Sequence, residues 1–289
     1  MEFIDLFYQS ILNSINWTWN SILFETPWYT NFFWGLILIS LFVWGLEIAY
    51  PWRKSQALIR KDFWLDTFYM FFNFFMFSIF ISGFYTIAEL LFSKVDLSVS
   101  SIALFSIVNW SIPLQLLVFF ILQDFFQWFT HNMLHKIPFL WNFHKVHHSV
   151  KEMGFAAHLR YHWMENILYK PLKTLAIMLI GGFEPEQAFI VHFITIGIGH
   201  LNHANIKLTY GPLKYILNNP VMHLYHHAYA LPNGKAGVNY GISLSLWDYI
   251  FRTNYIPNQD GEIRLGFKGD DKFPKDFFRQ SLYGFKKKD

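Results

Sequence analysis

The chain contains no cysteine. That absence excludes disulfides, thiolate-ligated haem, cysteine-held iron–sulfur clusters and cysteine-type zinc sites. Charge is sparse too: Asp, Glu, Lys and Arg make up 15% of 289 residues, against about 25% in an ordinary soluble domain. Neither a G-x-G-x-x-G fingerprint nor a G-x-x-x-x-G-K-[ST] loop occurs, so no bound nucleotide is expected. Electrons for any redox reaction would have to come from an external donor. The net charge of +3 is too small to suggest a nucleic-acid partner. The opening "MEFIDLFYQS" is acidic and lacks a basic segment, unlike a signal peptide.

Apolar residues fill the composition instead. Hydrophobic side chains account for 53% of the chain and aromatic ones for 21%, with 34 phenylalanines. So much bulky apolar surface suits a protein that uses lipid as part of its solvent. Phe32–Tyr50, "FFWGLILISLFVWGLEIAY", carries one charge, Glu47, and as a helix reaches about 29 Å, close to the thickness of a hydrocarbon core. A second run extends from about Trp64 to Phe92 and a third from about Ile102 to Phe126. Asn166–Gly182 and Gln187–Gly199 flank "GGFEPE" and read as a helical hairpin turning at the far side of the membrane.

The charges give a direction. Residues 1–31 hold Glu2, Asp5 and Glu25 but no Lys or Arg, whereas "PWRKSQALIRKD" holds Arg53, Lys54, Arg60 and Lys61. The positive-inside rule puts the N-terminus outside and that loop in the cytoplasm, across a bacterial inner membrane or, in a eukaryote, the ER. Two further crossings and the hairpin return to the same face, where the tail "FKKKD" also stays. The expected fold is all-α: an integral membrane helical protein with about three N-terminal spans plus a helical hairpin, and a cytoplasmic histidine-rich helical metal site. Its expected division is an N-terminal segment with transmembrane helices (1–123), a histidine-rich dimetal domain including the hairpin near 166–199 (124–255), and a polar basic tail (256–289).

All 13 histidines lie between His131 and His227. His131 and His135 are four apart, on one helix face. His144, His147 and His148 follow the spacing i, i+3, i+4, and "HLYHH" repeats it with His223, His226 and His227. His200 and His203 add another i, i+3 pair. Metal sites need convergent neutral imidazoles, and helices deliver them at these intervals. A lone HxxxH would be a weak signal; HxxxH joined to two HxxHH triplets is a strong one. A single catalytic zinc takes about three protein ligands, so this many donors implies two metal ions. An all-nitrogen shell suits iron, zinc, copper or nickel.

The other histidines carry less. His192, within "FIVHFITIG", reads as a structural or cavity residue and His158 as one facing water. His162 could serve as an outer ligand or as a support. Asp124 lies two helical turns before His131 on the same face, and with Asp248 it is a candidate to accept the second N–H of a ligating imidazole.

From about Asp124 to Thr253 the chain resembles the fatty acid hydroxylase/sterol desaturase superfamily of histidine-rich membrane oxidoreductases. The resemblance rests on "DFFQWFTHNMLH", "FHKVHHSV", "HANIKLTYG", "HLYHH" and "NYG…LSLWDYIFRT". Its alkylglycerol monooxygenase branch and the bacterial sterol-desaturase-like proteins are nearest in pattern. The resemblance implies a cytoplasmic pair of metal ions, taken as iron with zinc as a substitute in purified protein. That pair would activate O2 to hydroxylate or desaturate a lipid C–H bond. As ligands it implies His131, His135, His144, His147, His148, His203, His223, His226 and His227, with His200 beside them. Arg160, His162 and Glu165 match the Arg-x-His-x-x-Glu element of the family and would shape the site. Where many relatives have His-x-His, this chain has His203-Ala204-Asn205. A membrane lipid is the implied substrate, and an electron-transfer protein or a diffusible reductant such as a pterin the implied donor. A metal transporter and a non-catalytic metal-containing lipid-binding protein are the competing classes.

Overall fold

The computed structural model describes residues 2–95, 103–183, 185–231, 237–257 and 263–285. The tail's Lys286–Lys288 lie outside them. Helix α1 (Glu2–Ile22) leads to α2 (Phe32–Ala49), and Asn31 joins the two. Its side chain accepts the Trp34 N–H at the head of α2 and donates to the carbonyl of Ser21. The second apolar run is a continuous helical stretch, Phe63–Ser93. It consists of α3 (Phe63–Phe71), a widened π turn (Phe72–Met76) and α4 (Phe77–Ser93). Asn73 in that turn donates to the carbonyls of Leu159 and Tyr161, so the irregular backbone is stitched to the segment that enters the histidine region.

The third helix corrects the expected boundaries. The sequence suggests Ile102–Phe126; the helix observed, α5, is Ile112–Lys136. Upstream, Phe105–Ser106 (β1) pairs in parallel with Ile180–Gly181 (β2), and Pro113 opens the helix, a position that needs no backbone N–H. At the far end the helix runs on through "THNMLHK", so His131 and His135 belong to the last turns of a span rather than to a segment after it. It stops at Ile137, which is extended (φ −93°, ψ 114°) because Pro138 follows.

Helix α6 (Pro138–His148) carries the first HxxHH triplet. A 3₁₀ turn, Phe155–Leu159, then leads to α7 (Trp163–Leu179), which β2 separates from α8 (Pro185–His203). The short α9 (Pro220–His226) holds His223 and His226 of the second triplet, with His227 capping its end, and α10 (Leu246–Ile250) and α11 (Phe277–Ser281) follow. Among the described residues three helices are long and apolar enough to cross a membrane: α2, the Phe63–Ser93 run and α5. Their outer faces leave Leu38, Leu41, Phe42, Phe80, Phe84, Leu114 and Leu117 exposed. A stripe of that size is a liability in water and a match for lipid. The protein is an all-α integral membrane protein.

The stretch after residue 255 does not trail free where it is described. Phe267, Phe273, Phe277 and Tyr283 pack with Tyr69, Val146 and Trp141, and Tyr69 donates its hydroxyl to Gln280. Phenylalanines at intervals among its lysines are the signal that it folds back.

Candidate metal centre

Helices α5, α6, α8 and α9 end at one place and bring their histidines together. Two groups form. His131, His135, His144, His148 and His226 make the first; His147, His203, His223 and His227 make the second. In each, one ligand atom per residue lies within 4.8 Å of all the others. Both triplets are divided between the groups: α6 gives His144 and His148 to the first and His147 to the second, while α9 and its cap give His226 to the first and His223 and His227 to the second. An i, i+3, i+4 arc is wide enough to face two neighbouring centres at once.

Hydrogen bonds fix which nitrogen faces inward. Nδ1 of His131 donates to the Tyr240 carbonyl at 2.7 Å, that of His226 to Val238 at 2.7 Å, that of His147 to Arg160 at 3.0 Å and that of His203 to Gly199 at 2.7 Å. Nδ1 of His144 lies 3.0 Å from the Glu165 carboxylate. A carbonyl can only accept, so the Nδ1 of those four carries the single proton of a neutral imidazole and their Nε2 presents a lone pair; an ionised Glu165 would set His144 the same way. Yet Nε2 of His131 is 3.1 Å from Nε2 of His144, and Nε2 of His147 is 3.2 Å from Nε2 of His203. Lone pairs facing each other repel unless a cation lies between them. Two imidazoles sharing an ion at about 2.0–2.1 Å would stand near this spacing. Nε2 of His135, His148 and His226 is buried with no hydrogen-bond partner, a loss of about 1–3 kcal/mol for each group left unsatisfied. Burial pushes His144, His147, His148, His223, His226 and His227 well below the ordinary imidazole range, and the neighbouring imidazoles add to it. They are neutral at neutral pH, the state a ligand needs. The residues fit a pair of metal ions.

The carboxylates are arranged differently from the sequence expectation. Glu165, not Asp124 or Asp248, meets a ligand histidine directly. Burial pushes its carboxyl up to about 8, against the pull of the His162 N–H, so the charge of a bound metal would help to hold it ionised. Asp124 accepts from the Ser243 and Leu244 N–H groups and the Trp247 indole, each within 3.1 Å. Asp248 accepts from the Tyr240 and Gly241 N–H groups, the Trp128 indole and the Thr253 hydroxyl. Both fasten the 238–244 loop, whose carbonyls at Val238 and Tyr240 orient His226 and His131. Asn239 between them has φ 54°, a left-handed conformation that Asn tolerates. The "NYG" motif is thus a carrier of carbonyls, a role that spacing alone does not suggest. We expect Glu165→Gln to weaken the first group's metal affinity about 10–100-fold while the second group's holds, as read by titration with a competing chelator.

His200 falls outside both groups: its Nε2 meets the Ser40 hydroxyl at 3.1 Å and its Nδ1 meets Nδ1 of His158 at 3.0 Å, so the two groups bring together nine of the ten candidate donors. His158, expected to face water, packs instead beside His200 and His203. His192 lies among Phe32 and Phe74. His162 caps α7 by accepting the Met164 N–H and donates from Nε2 to Ser281, away from the centre. The side chain of Arg160 binds Asp66 and Ser149 while its carbonyl holds His147. Asn205 works as a latch. Its N–H bonds Glu47, its side chain pairs with the backbone of Arg53 in both directions, and its carbonyl takes the Trp52 N–H.

Residues 116–253 match the family model described as fatty acid hydroxylase. That match takes in a little under half of the chain. Its bounds enclose all nine donors. The chain is 29% identical over 181 residues to ornithine lipid hydroxylase OlsE of Rhizobium tropici, covering 62% of this chain and 53% of that protein. It is 28% identical over 158 residues to alkylglycerol monooxygenase of Homo sapiens, covering 52% and 33%. With the Danio rerio alkylglycerol monooxygenase it is 30% identical over 146 residues, covering 48% and 29%. The chain therefore spans about half the length of these relatives or less. No solved structure matches it.

Proposed function

We propose that this chain is a di-iron oxidoreductase that uses O2 to oxidise a C–H bond of a membrane lipid. Each donor group would hold one iron. The observation that carries the reading is the Nε2 pair of His147 and His203, whose protons sit on the opposite nitrogen and whose lone pairs face one another across 3.2 Å, beside the Nε2 atoms of His131 and His144 at 3.1 Å. An all-imidazole shell suits iron among a few other metals, and an iron pair bound there would supply O2 reduction and C–H oxidation chemistry. The chain's own residues hold and orient. Nine imidazoles ligate, Glu165 and four backbone carbonyls keep five of them turned inward, and burial of eight of the nine excludes water. The names of the relatives, a lipid hydroxylase and monooxygenases acting on alkylglycerol, support a lipid substrate. Residues 1–123 would anchor the chain, and 124–255 would carry the chemistry.

The loop bearing Arg53, Lys54, Arg60 and Lys61 meets Asn205 and Met153 at the histidine end, which supports a cytoplasmic centre. A transporter would string its donors along an ion pathway within the spans; here nine gather at one end. The test is anaerobic loading with ferrous iron in mild detergent, followed by O2, a reductant and membrane lipid extract. Stoichiometric iron and a lipid that gains an oxygen atom from labelled O2, or loses two hydrogens, support the proposal. Iron bound without any lipid product would overturn it in favour of a non-catalytic role.

A further inference from the structure

Eight of the nine donors are buried; His135 alone is partly exposed. Trp141, one turn into α6, packs beside it, its indole 5.0 Å from the His135 ring and 5.2 Å from that of His148, centroid to centroid. Trp141 is itself only partly buried. It therefore touches two imidazoles of the first group on one side and the protein surface on the other. Basic residues accompany it. Lys136 follows His135 in the chain. Lys145 lies one turn beyond Trp141, bonded to Asn142, with its ammonium 5.9 Å from the Phe267 ring, which packs 5.9 Å from the indole. Lys268 follows Phe267 and is exposed. The nearby carboxylate of Asp270 is engaged by Lys151 and Arg264, and Asp271 beside it is exposed.

We propose that Trp141 is the point at which electrons reach the centre. An acidic one-electron carrier protein would dock over the His135–Trp141 corner against Lys136, Lys145 and Lys268. This rests on the di-iron reading above. Hydroxylation of a lipid RH consumes O2, two electrons and two protons, and yields ROH and water. The carrier is oxidised by one electron at each of two visits, and water supplies the protons. Indole edges are favoured at protein interfaces because they combine a large apolar face with a polar N–H. Lysines around such a contact steer a partner of opposite charge at low salt.

The probe is reduced plant-type ferredoxin, a small acidic one-electron protein. Iron-loaded protein in detergent is mixed with it anaerobically, and reduction of the bound iron is followed spectroscopically beside reduction by dithionite. Lys145→Glu/Lys268→Glu should raise the ferredoxin Kd about tenfold at low salt, lose that difference at high salt, and leave the dithionite rate unchanged. Trp141→Leu should retain its iron, bind ferredoxin and accept electrons from it at least about tenfold more slowly, a barrier increase of about 1.4 kcal/mol. Ferredoxin reduction that is equally fast in both variants would overturn the proposal. So would a parent that only small reductants reduce, which would favour a diffusible donor. If Trp141→Leu fails to fold, the surface lysine variant still decides. A parent that binds no iron at all would instead defeat the di-iron reading.

Discussion

Replacing His203 and His223 together by alanine should lower the metal content from about two ions per chain to about one, since three protein ligands hold a catalytic ion and two do not suffice. The second group has four donors, His147, His203, His223 and His227, and this variant keeps only His147 and His227. Replacing His131, His144 and His226 should remove the other ion, because only His135 and His148 of that group remain. The control is informative. His147→Ala with His226→Ala also deletes two ligands, but takes one from each group and leaves three and four. That variant should keep both ions, bound more weakly. Metal analysis of the three purified proteins separates the outcomes. If the mixed variant lost its metal while the others retained theirs, the partition into two centres would be wrong. Activity under O2 should vanish in the first two variants, since each lacks half of the pair.

Asp66→Ala should destabilise the protein by about 3–5 kcal/mol, the usual consequence of removing one partner from a buried ion pair. Asp66 is fully buried, and its two oxygens engage two arginines. Arg60 reaches one, and Arg160 lies 2.9 Å from the other. Arg160 has a second, longer contact with Asp62 at 3.4 Å, but Arg60 has no other carboxylate within ion-pair distance among the described residues. Alanine would leave two buried guanidiniums with little countercharge. The damage should reach the metal centre as well, because the Arg160 carbonyl holds His147 in place. Thermal unfolding in detergent checks the first effect and iron affinity of the second group checks the other. Wild-type stability would mean that water reaches Arg60 and Arg160.

Apolar runs were legible as helices because twenty residues of hydrocarbon-facing surface leave the backbone no other way to satisfy its hydrogen bonds. The first two spans start and stop within about a residue of where composition puts them. The third was displaced because hydropathy is blind to the brief pairing of β1 with β2 and to a helix that continues past its apolar run into "THNMLHK". Asp124 and Asp248 were legible as functional carboxylates, but not as fasteners of a loop. Hydrogen-bond partners 119 and 120 residues away leave no local trace.

The sequence by itself determined that this is an all-α membrane protein with a concentrated set of neutral nitrogen donors, because hydropathy and i, i+3, i+4 spacing are local properties of a helix. Only the tertiary structure decided which histidines share a centre. Four helix ends must converge before His144 and His148 can meet His226 while their neighbour His147 meets His203. The same convergence turned His200 toward Ser40 and set Glu165 behind His144. Those choices depend on how α5, α6, α8 and α9 are packed against one another, and a spacing along one helix carries no information about the helix it faces.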